Sequence, residues 1–172
     1  IVVGSFDEPA TLVNAFAGAD TVVLITASNA HAEEQAKRAI AAATSAKVRK
    51  IVRISALKAD PDGPTDNTRQ HGRTEAALRE SGLTHVILRP HLFLQNLLAS
   101  IPTIVGQGKL YFGVGSARMG MVDTRDVADA AVIARPGAIV DLVRRSADDA
   151  PVDWGELAFE GLGGEDHGGA AD

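Results

Sequence analysis

The chain has 172 residues, 45% of them hydrophobic, with a formal charge of −5, five histidines and no cysteine. That length supports one domain with a real core, and the acidic balance lacks the Lys/Arg excess that neutralises nucleic-acid phosphates or anionic lipid. Without cysteine, disulfide frameworks, thiolate nucleophiles and Cys-based zinc sites are excluded. No run approaches the ~18 consecutive apolar residues of a membrane span, and no basic stretch followed by an apolar run opens the chain. A cytoplasmic protein is expected.

The chain opens on the β-branched run Ile1-Val2-Val3, which reads as a strand already under way, so the sequence is expected to begin inside a longer fold. Asp7 then suits a helix cap and Pro9 a first helical turn; Leu12, Val13 and Phe16 form an apolar face before Gly18. Thr21–Thr26 predicts a second strand. The next helix starts from Ser28 or Asn29 as cap, carries Glu33 and Glu34 early, and places Ala36, Ala39, Ile40 and Ala43 at helical spacing. Ile51–Ser55 predicts a third strand. The turn-rich Asp60-Pro61-Asp62-Gly63-Pro64 leads into a helix from about Thr68 to Glu80, closed by Gly82, and His85–Leu88 predicts a fourth strand. All four strand runs are apolar without alternation, as in strands buried on both faces. Parallel strands need helical crossovers, so the expected fold class is α/β with a doubly wound parallel sheet.

After Leu88 the rhythm changes. Arg89-Pro90 leads to an apolar helix around Phe93–Ile104 and then a glycine-rich, hairpin-like stretch from Gly106 to Gly120. Asp123 or Thr124 is placed to cap a helix through Asp126-Val127-Ala128. From Asp148 to Asp172 the composition is rich in Gly, Asp and Glu, and a frayed tail is expected.

Ligands of open parallel sheets bind outside the carboxyl ends of the strands. That rule selects Ser5 and Phe6, Thr26-Ala27-Ser28, Ser55-Ala56 and Pro90-His91; the alternative is that small and polar residues simply end strands. The phosphate-cradling G-x-G-x-x-G is absent: Gly106-Gln107-Gly108 starts like it, but Tyr111 stands where the third glycine belongs. His71 and Glu75, four apart, share a helix face with Leu78. Such a pair can move a proton, the carboxylate raising the imidazole pKa, or can be a solvated i, i+4 pair. The histidines show no close ligand spacing, so no metal is expected. Ser28 with His31 has no nucleophile elbow around it and reads as a cap. Arg89-Pro90 with Phe93 and Asn96 reads either as a pocket wall or as a core helix with one buried Asn.

Taken in order, Gly4-Ser5-Phe6-Asp7, Ala17-Gly18-Ala19-Asp20, His71-x-x-x-Glu75-x-x-Leu78-x-x-Ser81-Gly82-Leu83, Leu88-Arg89-Pro90 with Phe93 and Asn96, and Val122-Asp123-Thr124-Arg125-Asp126-Val127-Ala128 resemble the atypical short-chain dehydrogenase/reductases, in particular the NmrA-like and NAD(P)H:quinone oxidoreductase branch. The resemblance covers Ile1 to Ala131. It implies a Rossmann-like sheet lacking its first βα unit and the following strand, and with them the pyrophosphate grip. It divides the chain into a partial NAD(P)-binding domain over residues 1–135, with a substrate-side elaboration from about residue 90, and a divergent, poorly ordered tail over 136–172.

By position in the family pattern, Ser5 and Phe6 lie near the adenine, Thr26, Ala27 and Ser28 on the ribose side, Ser55, Ala56 and Pro90 at the nicotinamide, and His91, Phe93 and Asn96 at the substrate. His71 and Glu75 stand where classical members have Tyr-x-x-x-Lys, leaving His71 as the candidate catalytic group. The implied cofactor is NAD(P)H and the implied acceptor a quinone or similar molecule, with neither nucleic acid nor membrane as partner. The alternatives are a non-catalytic nucleotide sensor regulating a protein partner, or an inactive fragment; the partner expected beside the acceptor is a second copy of the chain, as a homo-oligomer, or a regulated protein.

Overall fold

The computed structural model describes residues 1–111, 120–134, 137 and 139–142. Its elements are α1 (Pro9–Phe16), β1 (Thr21–Leu24), α2 (Ala32–Ser45), β2 (Lys50–Ile54), α3 (Asp66–Glu80), β3 (Thr84–Pro90), β4 (Leu92–Phe93), a 3-10 stretch (Leu94–Ser100), α4 (Ile101–Gln107), β5 (Met121–Val122), α5 (Thr124–Ile133) and β6 (Ile139–Leu142). The main sheet has the order β1-β2-β3-β6 and every pairing in it is parallel. β4 and β5 pair separately, Leu92 against Met121 and Phe93 against Val122.

Side chains of a strand alternate between faces, and here the alternation sorts the core into two. Ile51 and Ile87 pack with Leu24, the alanines of α2 and Leu78 of α3. Val52, Ile54, Val86 and Leu88 pack on the opposite face with Val122 of β5 and with Val127 and Ala130 of α5. Small side chains at Ala36, Ala39 and Ala43, all at most 1% exposed, bring α2 close to the sheet. The even-numbered residues of β2 and β3 thus face α5. The odd-numbered ones face α3, and along that face they change from Ile51 and Ile87 to Arg53, Ser55 and Arg89 toward the carboxyl edge.

The predicted strand at Ile1–Val3 does not form; these residues are coil and exposed, with Val3 at 88%. A strand needs a partner for its ladder, and β1 is the last member of the sheet on that side among the described residues. Instead Ser5 and Glu8 bridge across a tight turn. The first helix begins after Glu8, not Asp7, and without a side-chain cap. Ser28 and Asn29 do not cap α2 either: His31 is its N-cap residue, while Asn29 Oδ1 accepts from His31 N at 2.7 Å in the turn before it. α3 starts earlier than predicted, because Thr65 and Thr68 form a capping box.

The single helix expected over Phe93–Ile104 is divided. Phe93 is held in the β4–β5 pairing, and Pro102 near the start of α4 opens a new helix. Gly106 and Gln107 end α4 and Gly108, at φ 63°, caps it, so this segment is a helix terminus. Four residues that the sequence pattern assigned to the tail, Ile139–Leu142, extend the sheet beside β3. The stretch 112–119 and the segment from Asp148 lie outside the described residues. No helix among the described residues is long and apolar enough to cross a membrane.

Asp123 caps α5 as predicted, accepting from Arg125 N at 2.8 Å. The Arg125 side chain and backbone hydrogen bonds hold its carboxyl well below the ordinary carboxylate range. Asp123→Ala is expected to lower the urea unfolding midpoint; an unchanged midpoint would show the cap to be idle.

Candidate active site

β1, β2 and β3 end on the same edge of the sheet, which brings Thr26–Ser28, Ser55–Ala56 and Pro90–His91 to one side of the molecule. Two cross-links tie the β2 and β3 ends together. Ser55 N donates to Leu88 O at 2.7 Å and Leu57 N to Pro90 O at 3.0 Å.

Across the α3-facing side of this edge lies a buried charge network. Glu75, wholly buried, accepts from Arg89 Nε at 2.9 Å and Nη2 at 2.7 Å, from Arg79 Nη2 at 3.0 Å and from Ser55 Oγ at 2.5 Å. Bidentate guanidinium contacts of this kind are the strong ones. Burial pushes the Glu75 pKa up, but the hydrogen bonds from Arg89 and Ser55 outweigh it and leave the carboxyl below its ordinary value. Ser55 therefore turns its hydroxyl proton inward to Glu75, and it is Ala56, half-buried, that follows it at the strand end.

His71 does not use Glu75. Its Nδ1 lies 3.4 Å from Arg53 Nη2, and Arg53 is in turn held by Leu24 O at 3.2 Å and Thr26 Oγ1 at 2.9 Å. The expected rise in imidazole pKa is reversed: burial first, then the Arg53 charge, lower it to about 4, against a smaller opposing pull from Glu75. His71 is neutral at pH 7.

His71 and Arg53 line a cleft with Ala27 and Ser28 from the end of β1 and with Asn67 and Gln70 from α3. Ala27, Ser28 and His71 are thus brought together and Thr26 joins them through Arg53, whereas Ser55, engaged by Glu75, does not line this cleft. Ser5 and Phe6 lie apart. Ser5 N donates to Thr11 Oγ1 at 2.8 Å, and Phe6 packs on the core of α1 and α2 while its carbonyl accepts from Arg38 at 3.4 Å.

The predicted substrate side is built by β4, β5 and the start of α5. His91 Nδ1 donates to Gly120 O. Phe93 packs against the α5-side core and Asn96 is exposed. Neighbouring Gln95 does the bridging instead, giving Nε2–H to Asp123 at 2.8 Å and accepting from Thr124 N at 3.1 Å.

Sequence reasoning missed Arg53 and Gln95. Arg53 carried a signal, since a charge inside Ile51-Val52-Arg53-Ile54 must be buried with partners or mark a site. Gln95 carried none, because its partners lie 28 and 29 residues away.

A family model described as NAD(P)H-binding matches residues 1–134. The chain is 36% identical over 138 residues to the (4-alkanoyl-5-oxo-2,5-dihydrofuran-3-yl)methyl phosphate reductase of Streptomyces griseus, covering 80% of this chain and 48% of that protein. It is 32% identical over 136 residues to the NAD(P)H azoreductase of Xenophilus azovorans, covering 78% and 48%. Among solved structures, the NADPH-dependent quinone oxidoreductase of Escherichia coli complexed with NADPH is similar at a TM-score of 0.73 and 27% identity, over 83% of this chain and 52% of that one. The chain spans about half the length of the curated relatives it matches. Since the match covers residues 1–134, and the parallel sheet follows that of an NADPH complex, the chain belongs to the NAD(P)H-binding family and has its Rossmann-like α/β fold.

Proposed function

We propose that this domain forms the nicotinamide and acceptor side of an NAD(P)H-dependent reductase acting on a quinone or similarly electron-poor acceptor. The observation that carries the reading is a neutral imidazole, His71, in a polar cleft at the carboxyl edge of a parallel sheet, where such sheets bind nucleotides.

The donor set fits the ribose–nicotinamide part of NAD(P)H. Ala27 and Ala56 leave backbone accessible, Thr26, Ser28 and Gln70 suit ribose hydroxyls, and Arg53 Nε is buried without a hydrogen-bond partner. Pro90 ends β3 on the nicotinamide side, with Ser55 held by Glu75 at the neighbouring strand end. Ser5 and Phe6 are assigned to the adenine side by family position alone. The pyrophosphate has no matching glycine-rich turn in this sequence.

When bound, the reduced nicotinamide supplies the hydride. His71 offers a hydrogen bond to the acceptor oxygen on which negative charge develops, and water completes its protonation. His91 and Phe93 bound the acceptor space, with Asn96 at its rim. Because His71 titrates at about 4, it adds no inflection to the rate between about pH 5 and 8.

The test is consumption of NADPH or NADH with and without an added quinone, alongside fluorescence binding of the nucleotide. The reading expects turnover only with acceptor, and a loss in kcat of about 10²-fold in His71→Phe. Nucleotide binding without turnover on quinones or azo compounds would replace it with a sensor whose output is a protein partner.

A further inference from the structure

Arg53 is a guanidinium in the middle of a buried strand, 1% exposed. Such a group has only N–H donors and always carries its charge, so its position is set by the acceptors that surround it. Leu24 O takes a hydrogen from Nη1, and Thr26 Oγ1 takes one from Nη2. The remaining Nη2 hydrogen is left to His71 Nδ1 at 3.4 Å. A ring nitrogen facing a donor that cannot give up its proton must present its lone pair.

The other charges around the ring do not compete for that role. Glu75, on the same helix, is taken by Arg89 from β3, Arg79 and Ser55. On the α2 side Glu33 is engaged by Lys37 at 2.6 Å and Arg73 at 3.5 Å. No carboxylate among the described residues forms a salt bridge with Arg53, and the pull of Glu75 on the ring is smaller than the push of Arg53, so a second positive charge on the imidazole is disfavoured beside the first.

We propose that Arg53 is a positioning residue that fixes His71 in the tautomer with hydrogen on Nε2, making it a standing hydrogen-bond donor to the ligand oxygen and not a carrier of protons. The role of that donor in turnover rests on the reductase reading; the tautomer itself is a property of this chain alone. It also assigns a ligand class: the group opposite Nε2 is a hydrogen-bond acceptor, a carbonyl or quinone oxygen, and not a donor.

Ring ¹⁵N NMR of the 172-residue chain tests this, with the His71 signals identified by their loss in His71→Gln. The wild type is expected to show the Nε2–H form at neutral pH and an acid titration at about 4. Arg53→Met, which fills the buried space without a charge, is expected to mix the tautomers and move the titration toward 6.5. Arg53→Lys keeps the charge but loses the fork, and should mix the tautomers while leaving the titration low. An Nδ1–H form in the wild type, or an ordinary histidine titration there, overturns the proposal even if neither variant folds. Unchanged spectra in a folded Arg53→Met also overturn it. Failure of turnover with the Nε2–H form intact strikes the reductase reading instead.

Discussion

Replacing Glu75 with Ala is expected to lower stability by about 3 kcal/mol, because it leaves the partly buried Arg89 guanidinium without its counter-charge and the buried Ser55 hydroxyl without its acceptor. The carboxylate is 1% exposed and accepts from three side chains, and Arg89 opposite it is only 21% exposed. Glu75→Gln keeps the shape and one accepting oxygen, so its loss should be smaller. Urea unfolding followed by circular dichroism measures both; a loss below about 1 kcal/mol for Glu75→Ala would mean the network is only surface-grade.

The same group sets an acid limit. Its folded pKa lies below the ordinary 4.5, so its contribution is complete above 4.5 and is lost as pH falls through the folded value. His71 acts in the same direction over a higher window. The unfolded chain takes up that proton at about 6.5 and the folded chain at about 4, so stability falls as pH drops from 6.5 to 4. In His71→Gln the slope in the upper window should flatten while the one below it stays.

Gly72→Ala is the second large effect. A Cβ there would lie 2.2 Å from the carbonyl carbon of Asp60 and 2.3 Å from Pro61 N, and backbone atoms cannot swing aside as a side chain can. Either α3 or the loop must move, at a cost of about 1–3 kcal/mol or more. The loop follows the end of β2, and the helix carries His71 next to Gly72, so the displacement reaches the cleft. Nucleotide affinity is expected to fall along with stability. Gly106→Ala is the control: its Cβ would meet nothing within 4 Å, and in a helix the change is neutral or favourable. Equal losses in the two variants would contradict the close-approach explanation.

Much of this was legible where pattern and burial coincide. The apolar runs at Thr21–Leu24, Ile51–Ile54 and His85–Leu88 are parallel strands, and the spacing of His71, Glu75 and Leu78 does put them on the sheet-facing side of α3. Ile1–Val3 has the same composition but pairs with no strand among the described residues, and composition cannot report whether a partner is present. Along the chain His71 and Glu75 look like a pair. In space each has a better partner, Arg53 and Arg89, contributed by strands that local spacing does not connect to the helix. The same reason hides the Gln95–Asp123 link. Division of the Phe93–Ile104 segment depended on Val122, whose pairing with Phe93 is likewise non-local.

The most direct test of the central claim is an NADPH titration of this chain followed by ¹H–¹⁵N amide shifts. The account predicts weak binding, because the pyrophosphate turn is absent, with shifts concentrated at Thr26–Ser28, Ser55–Ala56, His71 and His91. Shifts confined to other surfaces, or none at these positions up to the solubility limit of the nucleotide, would contradict it.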